Sequence, residues 1–214
     1  MLTLGLPAKH EPLKILCLGA HSDDIEIGCG GTILRLLSTY NVESVWVVFG
    51  ASNQREQEAR NSAALFLSSA RKKEIIVKNF HDGFFPFEGT KIKEYFEELK
   101  TTAPDIIFTH QRKDAHQDHR LLAELTWNTF RNHLVLEYEI PKYDGDMGQP
   151  NVFVPLERSI YEQKVEYLMQ AFATQRSKQW FDRDTFLGLM RLRGMECVSH
   201  SAHAEAFYCR KVVL

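Results

Sequence analysis

Two short stretches carry side chains able to bind a metal ion and move protons. The first, Ala20–Gly31, reads AHSDDIEIGCGG and holds His21, Asp23, Asp24 and Glu26 among its glycines. Imidazole nitrogen and carboxylate oxygen both suit zinc. Adjacent carboxylates on an extended segment point opposite ways, so Asp23 and Asp24 are free to take different tasks, one on a metal and one beside it. The glycines are expected to allow a tight turn into a following helix. A phosphate cradle would need G-x-G-x-x-G or G-K-[ST]; both are missing, and carboxylates repel phosphate. An acidic solvated turn is the plain alternative, and this stretch alone leaves it open.

The second stretch, Thr109–Arg120, reads THQRKDAHQDHR and holds His110, Asp114, His116, Asp118 and His119. His116 and His119 reach one site if a helix opens near His119. Asp118, between them, is expected to orient one ring, because a carboxylate on the far nitrogen fixes an imidazole's tautomer and raises its basicity. Here the alternative is a polar loop with exposed histidines. Two such clusters, each just past a buried strand, favour a shared metal site over two coincidental loops.

The elements that must position these groups follow from hydrophobic pattern. LKILCLG (13–19), ESVWVVFG (43–50), EIIVKNF (74–80), DIIFTH (105–110) and HLVLEYEI (133–140) are apolar runs typical of buried parallel strands. Between them lie helical segments: GTILRLLSTY, residues 53–70, TKIKEYFEELKTT with Ile92, Tyr95, Phe96 and Leu99 on one stripe, and HRLLAELTWNTFRN. This alternation predicts an α/β fold, a Rossmann-like, open, mostly parallel doubly wound sheet with helices on both faces. Its ligand site belongs outside the C-terminal strand ends, where both motifs fall. Residues 141–156, rich in Pro, Gly and Asp, read as a loop on the substrate side, with 143–151 as a flap. Two helices, over 156–172 and about 182–193, and a terminal strand, AEAFYCRKVVL, complete one domain spanning 1–214.

Composition narrows the function classes. The chain has 214 residues, 44% hydrophobic and 25% charged, with a net charge of −2, so no basic excess points to nucleic acid. No apolar run reaches the roughly 18 residues of a membrane span. The first residues are too interrupted for a secretory signal. Cys17, Cys29, Cys197 and Cys209 form no C-x-x-C pair, and a reduced, cytoplasmic protein is the simplest reading.

Together, AHSDDIEIGCGGT and AHQDH resemble the paired motifs of the LmbE-like, or PIG-L, family of zinc-dependent N-deacetylases, A-H-P-D-D-E-x-x-G-C-G-G-T and H-x-D-H. The likeness extends to REQEARNSAA and to AEAF near the C-terminus. The resemblance implies zinc, or another divalent first-row metal, held by His21, Asp24 and His119. It implies Asp23 as general base toward a metal-activated water. It further implies His116 as the group that stabilises the oxyanion or protonates the leaving amine, with Asp118 as its partner. The substrate it implies is an N-acetylglucosamine-type sugar, sugar nucleotide or small sugar conjugate. Other readings are a metal-dependent hydrolase of another amide or a phosphoester, and a non-catalytic metal- or nucleotide-binding module. Family members often form homo-oligomers. Ser22 stands where the family usually has proline.

Other residues carry weaker claims. Arg55 and Asp82 are candidates for substrate contact, Arg55 toward a hydroxyl, phosphate or carboxylate. Phe84, Phe85 and Phe87 are candidates for an aromatic wall, or for burial in the core or against a neighbouring subunit. His110 and Asp114 are candidates for a place behind the metal ligands; His200 and His203 are candidates for the rim, with an exposed loop as the default reading.

Overall fold

β1 (Leu13–Gly19) lies at the centre of a seven-stranded sheet ordered β3-β2-β1-β4-β5-β7-β6. Its partners are β2 (Val42–Val48) on one side and β4 (Ile106–His110) on the other, with β3 (Lys72–Val77) and β5 (Leu134–Tyr138) continuing outward, all parallel. The structure is a computed structural model describing residues 5–6 and 12–213, so most of the N-terminal stretch weighed as a signal lies outside the described residues.

Strand alternation divides the core. Ile15 and Cys17 face one apolar cluster, while Leu16 and Leu18 face the other. The first face is covered by α1 (Asp24–Thr39), α2 (Asn53–Phe66), α5 (Arg158–Ala171) and α6 (Arg183–Glu196). The second is covered by α3 (Gly89–Leu99) and α4 (Gln117–Thr129). The expected stripe on α3 is buried: Ile92, Tyr95, Phe96 and Leu99.

Three details depart from the sequence reading. β6 (Val152–Pro155) emerges from the segment read as loop, pairing antiparallel with β7 (Ala204–Tyr208), which in turn pairs antiparallel with β5. A four-residue edge strand beside Pro and Gly leaves little periodic signal. α1 begins at Asp24, well before the predicted start at Gly31, so Asp23 is its N-cap and neither aspartate lies on extended chain. The GCGG glycines therefore sit inside the helix and make no turn. They permit close approach: a Cβ on Gly28 would stand 2.1 Å from the Tyr138 ring.

Chain order creates a switch point. From β1 the chain moves outward through β2 and β3, then returns to the other side of β1 as β4. Crossovers at that switch diverge and leave a crevice above the β1 and β4 ends.

Candidate metal centre and its surroundings

His21 lies just past β1, and its Nδ1 is 3.1 Å from His119 Nε2 and 3.4 Å from Asp24 Oδ2. Asp24 Oδ2 in turn lies 3.5 Å from His119 Nε2. A tetrahedral ion with bonds of about 2.1 Å separates its ligands by about 3.4 Å, so this triangle of donors fits one divalent ion. Three overlapping groupings surround it among the described residues: His21, His116 and His119; Asp24, His110 and His119; and His21, Asp82, His116 and Asp118. His110 is a poor donor because its Nε2 already accepts the Ala20 N–H at 3.0 Å.

Electrostatics prepare the three groups differently. Burial opposes charge on Asp24, but His119, His110 and His21 hold its carboxyl well below the usual range. Burial, then His110, pulls His119 down to about 4, so its ring is neutral at pH 7. His119 Nδ1 lies 3.0 Å from Asp114 Oδ2, which leaves Nε2 as the lone-pair atom. His21 is pushed well above its ordinary value: burial works against the charge, but Asp24, Asp118 and Asp82 outweigh it.

Asp23 differs from its neighbour. It is buried, and its Oδ2 has no hydrogen-bond partner among the described residues. Burial, then adjacent Asp24, raises its carboxyl to about 6.

Asp118 corrects the sequence reading. Its carboxylate lies near His116, within 4.8 Å, but makes its hydrogen bonds elsewhere. It accepts the backbone N–H of Gly83 at 2.6 Å and of Phe85 at 3.1 Å, and stands 3.3 Å from His21 Nε2. His116, at the N-cap of α4, accepts the Asp118 N–H on its Nδ1 at 3.2 Å instead. The physical reason is the helix start: an N-cap side chain turns back onto its own first N–H groups, and the next side chains point elsewhere. The His116 proton is thereby placed on Nε2, and burial followed by His21 lowers its affinity for a second one. Asp114, not Asp118, orients a ring of the H-x-D-H motif.

Arg55 and Asp82 are brought to the same place. Arg55 Nη1 lies 2.8 Å from Asp82 Oδ2, and Asp82 Oδ1 lies 3.1 Å from His21 Nε2. Ser22 is fully buried, and its hydroxyl accepts from Arg55 Nε at 3.4 Å. The 143–151 segment is fastened down, unlike a free flap: Asp146 accepts the Ala115 N–H at 2.6 Å and pairs with Lys142, which reaches Asp114 at 3.0 Å. His203 stacks on Tyr161 and bonds Ser201, and His200 is exposed.

The far end of the chain also reaches α1. Glu205 on β7 accepts the N–H of Gly31 at 2.8 Å and of Thr32 at 2.6 Å. Lys164 on α5 bonds Ile27 O and pairs with Glu205, both at 2.6 Å. These contacts enter the middle of a helix whose N–H and C=O groups ordinarily pair with each other. Sequence gives no sign of them beyond the AEAF string.

A family model described as PIG-L, GlcNAc-PI de-N-acetylase, matches residues 16–130, from the middle of β1 past the end of α4. The chain belongs to the PIG-L family. Solved structures share the fold of this PIG-L chain at low identity. An N,N'-diacetylchitobiose deacetylase from Pyrococcus horikoshii, solved with its inhibitor, is 20% identical, with TM-score 0.71 over 92% of this chain and 83% of that one. A conserved protein from Thermus thermophilus is 17% identical, with TM-score 0.73 over 94% and 96%. A 4-carboxy-2-hydroxymuconate hydratase from Pseudomonas putida is 14% identical, with TM-score 0.75 over 94% and 98%. Among the described residues of this PIG-L chain, no helix is long and apolar enough to cross a membrane.

Proposed function

We propose that this PIG-L chain is a metal-dependent N-deacetylase that hydrolyses the N-acetyl group of an N-acetylglucosamine-type sugar, sugar nucleotide or small sugar conjugate. The carrying observation is the donor triangle of His21, Asp24 and His119 beside buried Asp23, whose Oδ2 has no hydrogen-bond partner among the described residues. Family membership and the Pyrococcus deacetylase support the reaction class and the sugar. Zinc suits two imidazoles and one carboxylate, and another divalent first-row ion would use the same donors. Such an ion supplies Lewis-acid activation of water and of the amide carbonyl.

The chain's own residues then divide the remaining work. Asp23 takes a proton from the attacking water; a carboxyl near 6 is largely ionised at pH 7 yet still basic enough to accept it. His116, neutral with its proton on Nε2, donates a hydrogen bond to the oxyanion that forms. The protonated Asp23 carboxyl, or His116, then passes a proton to the departing amine, which cannot leave as an anion. Asp118 and Asp82 both hold His21 Nε2, and Asp114 holds His119 Nδ1. Arg55, already paired with Asp82, offers its remaining N–H groups to a sugar hydroxyl or an anion. The four cysteines are free, which accords with a reducing, cytoplasmic setting.

The test is acetate release by zinc-loaded protein from a panel of N-acetyl sugars, sugar nucleotides and sugar conjugates. Release from at least one, abolished by a chelator and restored by metal, is expected. No release from any of them by protein with metal demonstrably bound would reject the reading.

A further inference from the structure

Residues 81–88, between β3 and α3, are held rigid from several sides. Asp118 binds Gly83 N and Phe85 N, Gln117 Nε2 donates to Gly83 O, and Glu88 accepts the His81 N–H at 2.8 Å. The Phe84 N–H closes on His81 O and the Phe87 N–H on Phe84 O, both at 2.9 Å. Phe85 turns inward, with its ring centroid 6.0 Å from that of His21. Phe84 and Phe87 do the opposite, at 48% and 80% exposed, with ring centroids 6.0 Å apart. The His81 ring lies flat against Phe84 at 4.2 Å.

Two large apolar rings standing in water on a loop this firmly tied leave apolar surface whose burial would be favourable. A second loop shows the same pattern. Residues 142–148 are fastened to Asp114 and Ala115 through Lys142 and Asp146, and they expose Tyr143 and Met147. Both loops grip residues 114–118, the segment that carries His116. Among the described residues, four of the nine exposed large hydrophobics therefore lie on the two loops attached to the segment that carries His116.

We propose that Phe84 and Phe87 form a preorganised subsite for an apolar group attached to the substrate sugar, an aromatic or aliphatic aglycone. This rests on the deacetylase reading and names its substrate class further. Position is the main argument: Asp82, two residues before Phe84, lies 3.1 Å from His21, so the loop that carries both rings borders the metal centre. Rigidity is the second, because a loop backbone already fastened binds without the cost of ordering it. A single buried aromatic contact of this kind is worth a factor of about ten in affinity or more.

The experiment compares N-acetylglucosamine with its phenyl and hexyl β-glycosides, for wild type and for Phe84→Ser/Phe87→Ser. Binding is read by calorimetry and turnover by acetate release, both on zinc-loaded protein. The expected wild-type result is tenfold or greater preference for the apolar glycosides in Kd and in kcat/KM, with the ratio falling toward one in the double variant. Circular dichroism and zinc content of the variant, unchanged, would show that its fold and metal centre persist. Equal binding of all three sugars by wild type would overturn the subsite. So would a preference that survives the double substitution. A larger species in light scattering that the variant dissolves, with ligand preference unaltered, would overturn it in favour of an interface between copies. Should no acetate be released while the binding preference holds and depends on both rings, the deacetylase reading fails and the subsite stands.

Discussion

At the scale of single residues, the first motif places two adjacent aspartates in different electrostatic surroundings. Asp24 faces three imidazoles and stays ionised, while Asp23 has a carboxylate oxygen with no hydrogen-bond partner among the described residues and titrates near 6. Asp23→Asn is expected to bind zinc with nearly unchanged affinity and to lose about 10²- to 10⁴-fold in kcat, the usual worth of a general base. Isothermal titration and steady-state kinetics on one preparation separate the two effects. The sign of the pH dependence follows: the raised carboxyl is a base only when deprotonated, so kcat/KM should fall as pH drops through about 6. A profile flat from about pH 8 to about pH 5 would contradict the assignment. Asp114 acts through His119, and Asp114→Asn is expected to weaken zinc binding by about 10- to 100-fold, as loss of a carboxylate behind a metal-binding histidine generally does. Competition with a fluorescent chelator measures it. Ser22, standing where proline is usual, has a local partner in Arg55, which lends the substitution a hydrogen bond in place of a fixed backbone angle.

At the scale of elements, the strands that carry the site are plain in the sequence, and the turns around them are not. Runs such as LKILCLG and DIIFTH end where polar residues begin, which by itself puts both motifs at the same sheet edge. The meeting of the two motifs follows from that placement, while the choice of His21, Asp24 and His119 as donors rests on the family resemblance. The Asp118 partnership does not, because spacing cannot say which way a side chain leaves the first turn of a helix. β6 stays hidden because four residues at an edge carry almost no period. The glycines mislead because Gly inside a helix normally costs stability, and only a tertiary neighbour explains it. That neighbour is Tyr138, whose hydroxyl donates to Leu18 O at 2.7 Å and whose ring fills the space beside Gly28. Gly28→Ala should therefore destabilise by about 1–3 kcal/mol, the range for overpacking, despite alanine's better helix propensity. Urea denaturation checks it; a neutral or stabilising result would mean that α1 and β5 part easily.

At the scale of the whole molecule, charge and topology meet at one place. The β1/β4 switch point gathers His21, Asp23, Asp24, His110, Asp114, Asp118 and His119 into the protein interior, where only partners or an ion make them tolerable. Zinc at about 100 times its Kd should raise stability by about 2.7 kcal/mol, and a chelator should remove that gain. Differential scanning calorimetry with and without zinc measures the shift; identical transitions would argue against an ion-binding centre. Scaffold alone is a weak guide to reaction, because neighbours with this fold perform different chemistries, so residue-level tests carry the decision.

The contacts from Glu205 bear on how the site comes into being. Residues 16–130 contain every proposed ligand and acid–base group, yet the helix bearing Asp24 is tied at Gly31 to a strand 174 positions further along. During synthesis, that carboxylate emerges long after the last of the metal donors, His119. A nascent chain can thus hold the complete set of donors before the Glu205 carboxylate reaches the Gly31 and Thr32 N–H groups. Docking of β7 is then the last step that braces the helix bearing Asp24, after the sheet's first half is already in the chain.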